Sequence, residues 1–119
     1  MENRDNIVLS KIVEYCDDIN DTLARYGDEL EQFIADKDFQ KSICMSLVQI
    51  GELTTHFSEE FIQDTQTEID WRGTKRLRNI VVHNYGSINY NTIWEIVKFE
   101  IPDILSFCRK EMQKHTEEQ

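Results

Sequence analysis

The sequence predicts an all-α protein, an antiparallel bundle of four to five helices. Three observations carry that expectation. Four Gly and one Pro in 119 residues are few for a turn-rich sandwich or barrel. Apolar residues recur at spacings of three and four through the long segments, the period of a helix with one buried face. Cap residues stand before several of these segments, Asp36, Ser58, Asp70 and Asn89 among them.

The first helix is expected from Asn3 to Tyr26, with Val8, Leu9, Ile12, Val13, Cys16, Ile19 and Leu23 on its apolar stripe. Gly27 is placed to end it. A short piece around Asp28–Ile34 offers Leu30, Phe33 and Ile34. Asp36 and Asp38 can each cap a long helix ending near Phe57, with Phe39, Ile43, Leu47, Ile50 and Phe57 as its stripe and Cys44 and Val48 widening it. Gly51 lies inside that helix, where it costs about 1 kcal/mol relative to Ala. Close approach of a neighbouring helix would explain it. Glu52 beside it is either a solvated side chain or a charge partner for a basic stretch further on.

Ser58 caps a short helix with acids in its first turn. Asp70 can cap a helix from Trp71 to about Asn84, with Trp71, Leu77, Ile80 and Val81 on its apolar side, stopped by Tyr85-Gly86-Ser87. Asn89 or Asn91 caps the last helix, expected from Tyr90 to Lys114. Pro102 falls inside it, and the apolar period continues on both sides, so a kink is expected rather than a break. Residues 115–119 read as a disordered tail. Length places the whole chain, residues 1–119, in a single domain.

Composition narrows the function classes. The net charge is −10, which opposes sequence-independent binding to phosphate backbones over the surface at large. From Trp71 to Trp94, however, the only charged residues are Arg72, Lys75, Arg76 and Arg78. That window carries +4 and leaves −14 for the rest of the chain, so it is a candidate anion site. Three Cys (Cys16, Cys44, Cys108) without metal-type spacing read as reduced core residues of a cytoplasmic protein. No apolar run is long enough to span a membrane, and the polar start does not resemble a secretory signal.

The basic window ends in Arg78-Asn79-Ile80-Val81-Val82-His83-Asn84-Tyr85. Five residues apart on a continuous helix, Arg78 and His83 would lie about 140° apart around the axis. They converge only if the helix ends near His83 or a second subunit brings its own copy alongside. There is no Gly-rich phosphate loop, carboxylate pair, nucleophile triad or metal cluster beside them, and His56 with Glu52 is too little for a metal site. What the residues can support is metal-free phosphate chemistry. An Arg can neutralise a phosphate as charge accumulates, and a His near neutral pKa can move a proton to or from a hydroxyl. RNA carries its own nucleophile, the 2′-hydroxyl. From composition alone, an Arg and a His near a helix end are more often structural than catalytic.

Arg78-x4-His83-x-Tyr85 resembles the R-x4-H-x-Y motif of the HepT-like branch of the HEPN superfamily. Ile50-Gly51-Glu52, Ile69-Asp70-Trp71, Leu77-Arg78-Asn79 and Ile93-Trp94-Glu95-Ile96-Val97 resemble that family's order of elements, from about residue 5 to 112. Asp70 departs from the Pro that relatives commonly carry there, and can serve as an N-cap. The resemblance implies a homodimeric HEPN-like bundle with two motifs meeting at a cleft, acting as a metal-independent endoribonuclease toxin without a cofactor. It implies that Arg78 binds the scissile phosphate and His83 transfers the proton. Asn84 is expected to assist, and Arg76, Arg72 and Lys75 to bind phosphates of an RNA such as tRNA. The implied partner is a nucleotidyltransferase antitoxin of the MntA type, which adds AMP to Tyr85. Two other readings compete with this one: a non-catalytic nucleotide- or RNA-binding partner subunit of a nucleotidyltransferase, and a purely structural dimerisation domain.

Overall fold

A computed structural model describes residues 2–82 and 89–117, without the side chains of 80–82 and 117. Among the described residues the chain is helical and contains no strand. The elements are α1 (Asn3–Tyr26), α2 (Leu30–Ala35), α3 (Lys37–Leu53) with a 3₁₀ turn at Thr54–His56, α4 (Glu59–Thr65), α5 (Trp71–Lys75), α6 (Leu77–Val82), α7 (Tyr90–Glu95), a π-helical turn (Ile96–Glu100) and α8 (Ile101–Glu117).

Helix α1 has the bounds its apolar stripe predicts. Its 24 residues make a rod about 36 Å long, and α3 and α8 pack along it. Gly27 ends it at a φ of 103°, a backbone conformation L side chains rarely adopt, and its N–H bonds the Leu23 carbonyl at 2.9 Å. The Asp36 carboxylate caps α3 through the N–H groups of Asp38 and Phe39, at 2.9 and 3.2 Å. Ser58 caps α4 and Asn89 caps α7.

The core is continuous and carries an aromatic cluster at each of two places. Tyr26, Phe33, Phe39, Tyr90 and Trp94 form one, with centroid separations of 5.0 to 6.1 Å. Phe57, Phe61, Trp71 and Phe107 form the other, at 4.5 to 6.4 Å. Cys16, Cys44 and Cys108 are buried and unpaired, as their place in the apolar stripes predicts. Burial disfavours the thiolate and pushes the Cys16 thiol up to about 12 and Cys44 up to about 11. Cys108 is also raised by burial.

Three expectations need correction. Residues 115–117, read as part of a disordered tail, are helical and end α8. The helix predicted from Trp71 to Asn84 is interrupted at Arg76, where the Asn79 N–H reaches back only to the Arg76 carbonyl, at 3.0 Å. The tightened turn sends Leu77 into the core, where it is 1% exposed. The last helix is not simply kinked at Pro102. The π turn immediately before it widens the coil, with the Ile101 N–H bonding the Ile96 carbonyl. An i→i+5 turn there relieves the crowding that a prolyl ring imposes on the turn before it, and the helix runs on to Glu117.

One contact was not foreseen. The Asp5 carboxylate, 1% exposed, accepts from the Ser58 N–H and hydroxyl, both at 2.7 Å. It ties the first turn of α1 to the cap of α4.

Candidate functional site

The basic window starts from an anchor. Trp71 is buried in the second aromatic cluster, and its indole N–H donates to the Thr65 hydroxyl at 2.8 Å. Asp70 caps α5 as predicted, accepting from the Gly73 N–H at 3.0 Å, while the Thr74 hydroxyl bonds the Asp70 carbonyl at 3.1 Å. Fixing Trp71 inward turns the next residues outward. Arg72, Lys75, Arg76 and Asn79 are all exposed, and the spacing of Arg72, Lys75 and Arg76 places those three along one side of α5.

These cations are not equivalent. Arg76 pairs with Glu100 at 3.5 Å, across to the π turn. Arg72 and Lys75 form no ion pair among the described residues. Exposed pairs such as Arg76–Glu100 are worth little in stability, but this one engages part of the Arg76 guanidinium.

Arg78 sits differently. Gly51 on α3 is buried against the start of α6, and a Cβ there would lie 3.1 Å from the Leu77 carbonyl carbon and 3.2 Å from the Arg78 Cα, closer still to the Arg78 nitrogen. The two helices therefore touch backbone to backbone, which is the close approach the internal glycine predicts. One residue on, Glu52 Oε2 lies 3.8 Å from Arg78 Nη1, with the two side chains 53% and 37% exposed. Both readings offered for Glu52 hold at once, since it is partly solvated and also the charge partner of Arg78. This leaves the guanidinium at the mouth of the α3/α6 seam rather than inside it.

His83, Asn84 and Tyr85 lie outside the described residues, as do Gly86 and Ser87, so the convergence of Arg78 with His83 is a sequence expectation alone. His56 is exposed at the end of the 3₁₀ turn. Among the described residues no group of three or more His, Cys, Asp or Glu could hold a metal ion, and no helix is long and apolar enough to cross a membrane. The partnership of Arg76 with Glu100 had no sequence signal, because the two are joined only by tertiary packing.

An all-α bundle with a basic, half-exposed Arg motif at a helix seam is the class of protein these features define. The family model described as ribonuclease HepT-like matches residues 12–111. The chain belongs to that family, and ribonuclease is the class of enzyme that membership assigns it. Among its relatives, "Putative RNase MJ0127" of Methanocaldococcus jannaschii is 38% identical over 73 residues, covering 61% of this chain and 60% of that protein. "Putative RNase MJ1216" of the same organism is 31% identical over 106 residues, 89% of this chain and 82% of the relative. "Probable ribonuclease HepT" of Thermococcus cleftensis is 31% identical over 74 residues, 62% and 66% of the two chains. The first and last of these alignments span less than two thirds of the relative. No solved structure gave a significant match.

Proposed function

We propose that this chain is a metal-independent endoribonuclease and the toxin of a type VII HepT/MntA toxin–antitoxin pair. The observation that carries the reading is the placement of Arg78, the first residue of the Arg78-x4-His83-x-Tyr85 motif. It is held at the α3/α6 seam with its guanidinium partly open to solvent, at the end of an exposed basic strip in an otherwise acidic chain. Arg78 neutralises the scissile phosphate, most strongly as charge builds on its oxygens. His83 transfers the proton that activates the 2′-hydroxyl. That oxygen attacks phosphorus, the P–O5′ bond breaks and the 5′-oxygen takes up a proton to leave as a hydroxyl, giving a 2′,3′-cyclic phosphate. Arg72, Lys75, Arg76 and Asn84 bind flanking phosphates of an RNA such as tRNA. Residues 1–119 act as one domain in a homodimer, in which each cleft draws on both motifs.

The test is cleavage of total cellular RNA by the purified protein in the presence of EDTA. Wild type is expected to cut, and Arg78→Ala and His83→Ala to be inactive while still folded. Full activity in both variants would overturn the proposal, as would activity that EDTA abolishes. Regulation is tested separately by co-expression with the nucleotidyltransferase antitoxin of this system. The intact mass is expected to gain one or more AMP moieties, and the gain to vanish in Tyr85→Phe. A gain that persists in that variant would remove Tyr85 from the account.

A further inference from the structure

The pairing of Arg78 with Glu52 has a cost for an anion site that the proposed function does not explain. A carboxylate 3.8 Å from the phosphate-binding guanidinium repels the very ligand that Arg78 is there to hold. Nothing forces it there for stability, because a half-exposed pair at that distance contributes little. The backbone nevertheless keeps the two residues close. Gly51 lets α3 rest directly on Leu77 and Arg78, and Glu52 follows Gly51 on the helix.

We propose that Glu52 is a positioning residue for Arg78, holding one edge of its guanidinium so that the rest of the fork faces the scissile phosphate. The proposal rests on the reading of Arg78 as the phosphate ligand. A guanidinium has five N–H donors on three nitrogens. Glu52 Oε2 lies 3.8 Å from Nη1, an ion pair longer than a hydrogen bond, so the pairing leaves the N–H donors available to a phosphate. A long Arg stem without such a partner samples several rotamers, only some of which direct the fork at the reacting centre. The carboxylate has a second effect, since its charge weakens the hold on ground-state RNA. Glu52 therefore trades affinity for orientation, a combination that a merely structural residue would not show.

The experiment compares Glu52→Gln, Glu52→Asp and Arg78→Ala by two measurements. Binding is measured with a 2′-O-methyl RNA oligonucleotide, which cannot be cut, and turnover with total cellular RNA. Removing one unit of negative charge near the phosphate is expected to tighten Glu52→Gln binding about threefold to tenfold at low salt, and the gain should shrink as salt is added. Its kcat is expected to fall about fivefold or more, from lost orientation, so KM and kcat drop together. Glu52→Asp keeps the charge with a shorter reach, and is expected to bind like wild type and recover part of kcat. A Glu52→Gln protein with unchanged kcat, or with unchanged or weaker binding at low salt, overturns the inference if Arg78→Ala has lost both binding and turnover. If Arg78→Ala keeps both, the reading of Arg78 itself fails, and the two failures are told apart.

Discussion

Replacing Gly51 by Ala tests the seam on which the site is built. An ordinary carbon contact begins near 3.4 Å, and the new Cβ would stand 3.1 Å from the Leu77 carbonyl carbon and 3.2 Å from the Arg78 Cα. Those atoms are backbone, so no side chain can swing aside and α6 must move as a unit. Separating packed elements costs about 1–3 kcal/mol, and the upper end applies where the obstacle is main chain. Ala regains about 1 kcal/mol of helix propensity over Gly. The net expectation is a loss of about 2 kcal/mol, which for a domain of this size lowers Tm by about 8 °C. Thermal unfolding followed by circular dichroism measures it. Gly73→Ala is the comparison, because its Cβ would meet the Asp70 carboxylate, whose Oδ2 lies 2.6 Å away at the end of a side chain rather than on main chain, so that relief costs at most the Asp70 cap on the Gly73 N–H. It is expected to cost less. A Gly51→Ala protein as stable as wild type, or more stable, would refute the reasoning.

Asp5→Ala removes two 2.7 Å hydrogen bonds from a buried carboxylate and strands the Ser58 N–H. A loss of about 2–4 kcal/mol in urea unfolding is expected, and a change below about 0.5 kcal/mol would contradict it. The buried thiols set an alkaline limit. Up to the ordinary thiol value of 9.0, folded and unfolded chains hold the same thiol protons. Above it the unfolded thiols ionise while Cys44 and Cys16 resist until about 11 and about 12. The unfolded state then binds fewer protons, so stability falls with rising pH. Urea midpoints from pH 8 to 10 should fall more steeply in wild type than in a variant with all three Cys replaced by Ala, and parallel slopes would refute the assignment. On the basic strip, Arg72→Ala and Lys75→Ala should each reduce the slope of log affinity against log salt by about 0.7–0.9 for RNA. Arg76→Ala should reduce it less, because Glu100 already shares its charge. Equal effects at all three positions would show that the Glu100 pairing is irrelevant to binding.

Much of this architecture is legible from local pattern. The stripe of α1 and Gly27 at its end fix both boundaries, and the caps at Asp36, Ser58, Asp70 and Asn89 act where their side-chain chemistry suggests. Local pattern fails where a distant segment decides the geometry. The apolar period runs through Arg76 without a break, and the interruption accompanies the main chain of Leu77 and Arg78 resting on Gly51. At Pro102 the period survives because a π turn absorbs the lost donor, and no residue spacing announces that. Asp5 carries no sequence signal of its partner, which stands at Ser58. At the site, the basic window and the approach at Gly51 are visible in the sequence. The sequence left Glu52 between solvent and ion pair, and only the packing of α3 on α6 shows that it occupies both.

The two aromatic clusters give the chain a built-in pair of optical reporters. One tryptophan belongs to each, Trp71 beside the basic strip and Trp94 in the other, where the Lys98 ammonium lies 5.8 Å from its ring. Replacing either by Phe leaves a protein whose fluorescence speaks for a single cluster. Unfolding curves from the two variants then ask directly whether the site region melts with the rest of the bundle or ahead of it. RNA added to the protein retaining Trp71 reports occupancy of the strip without any label.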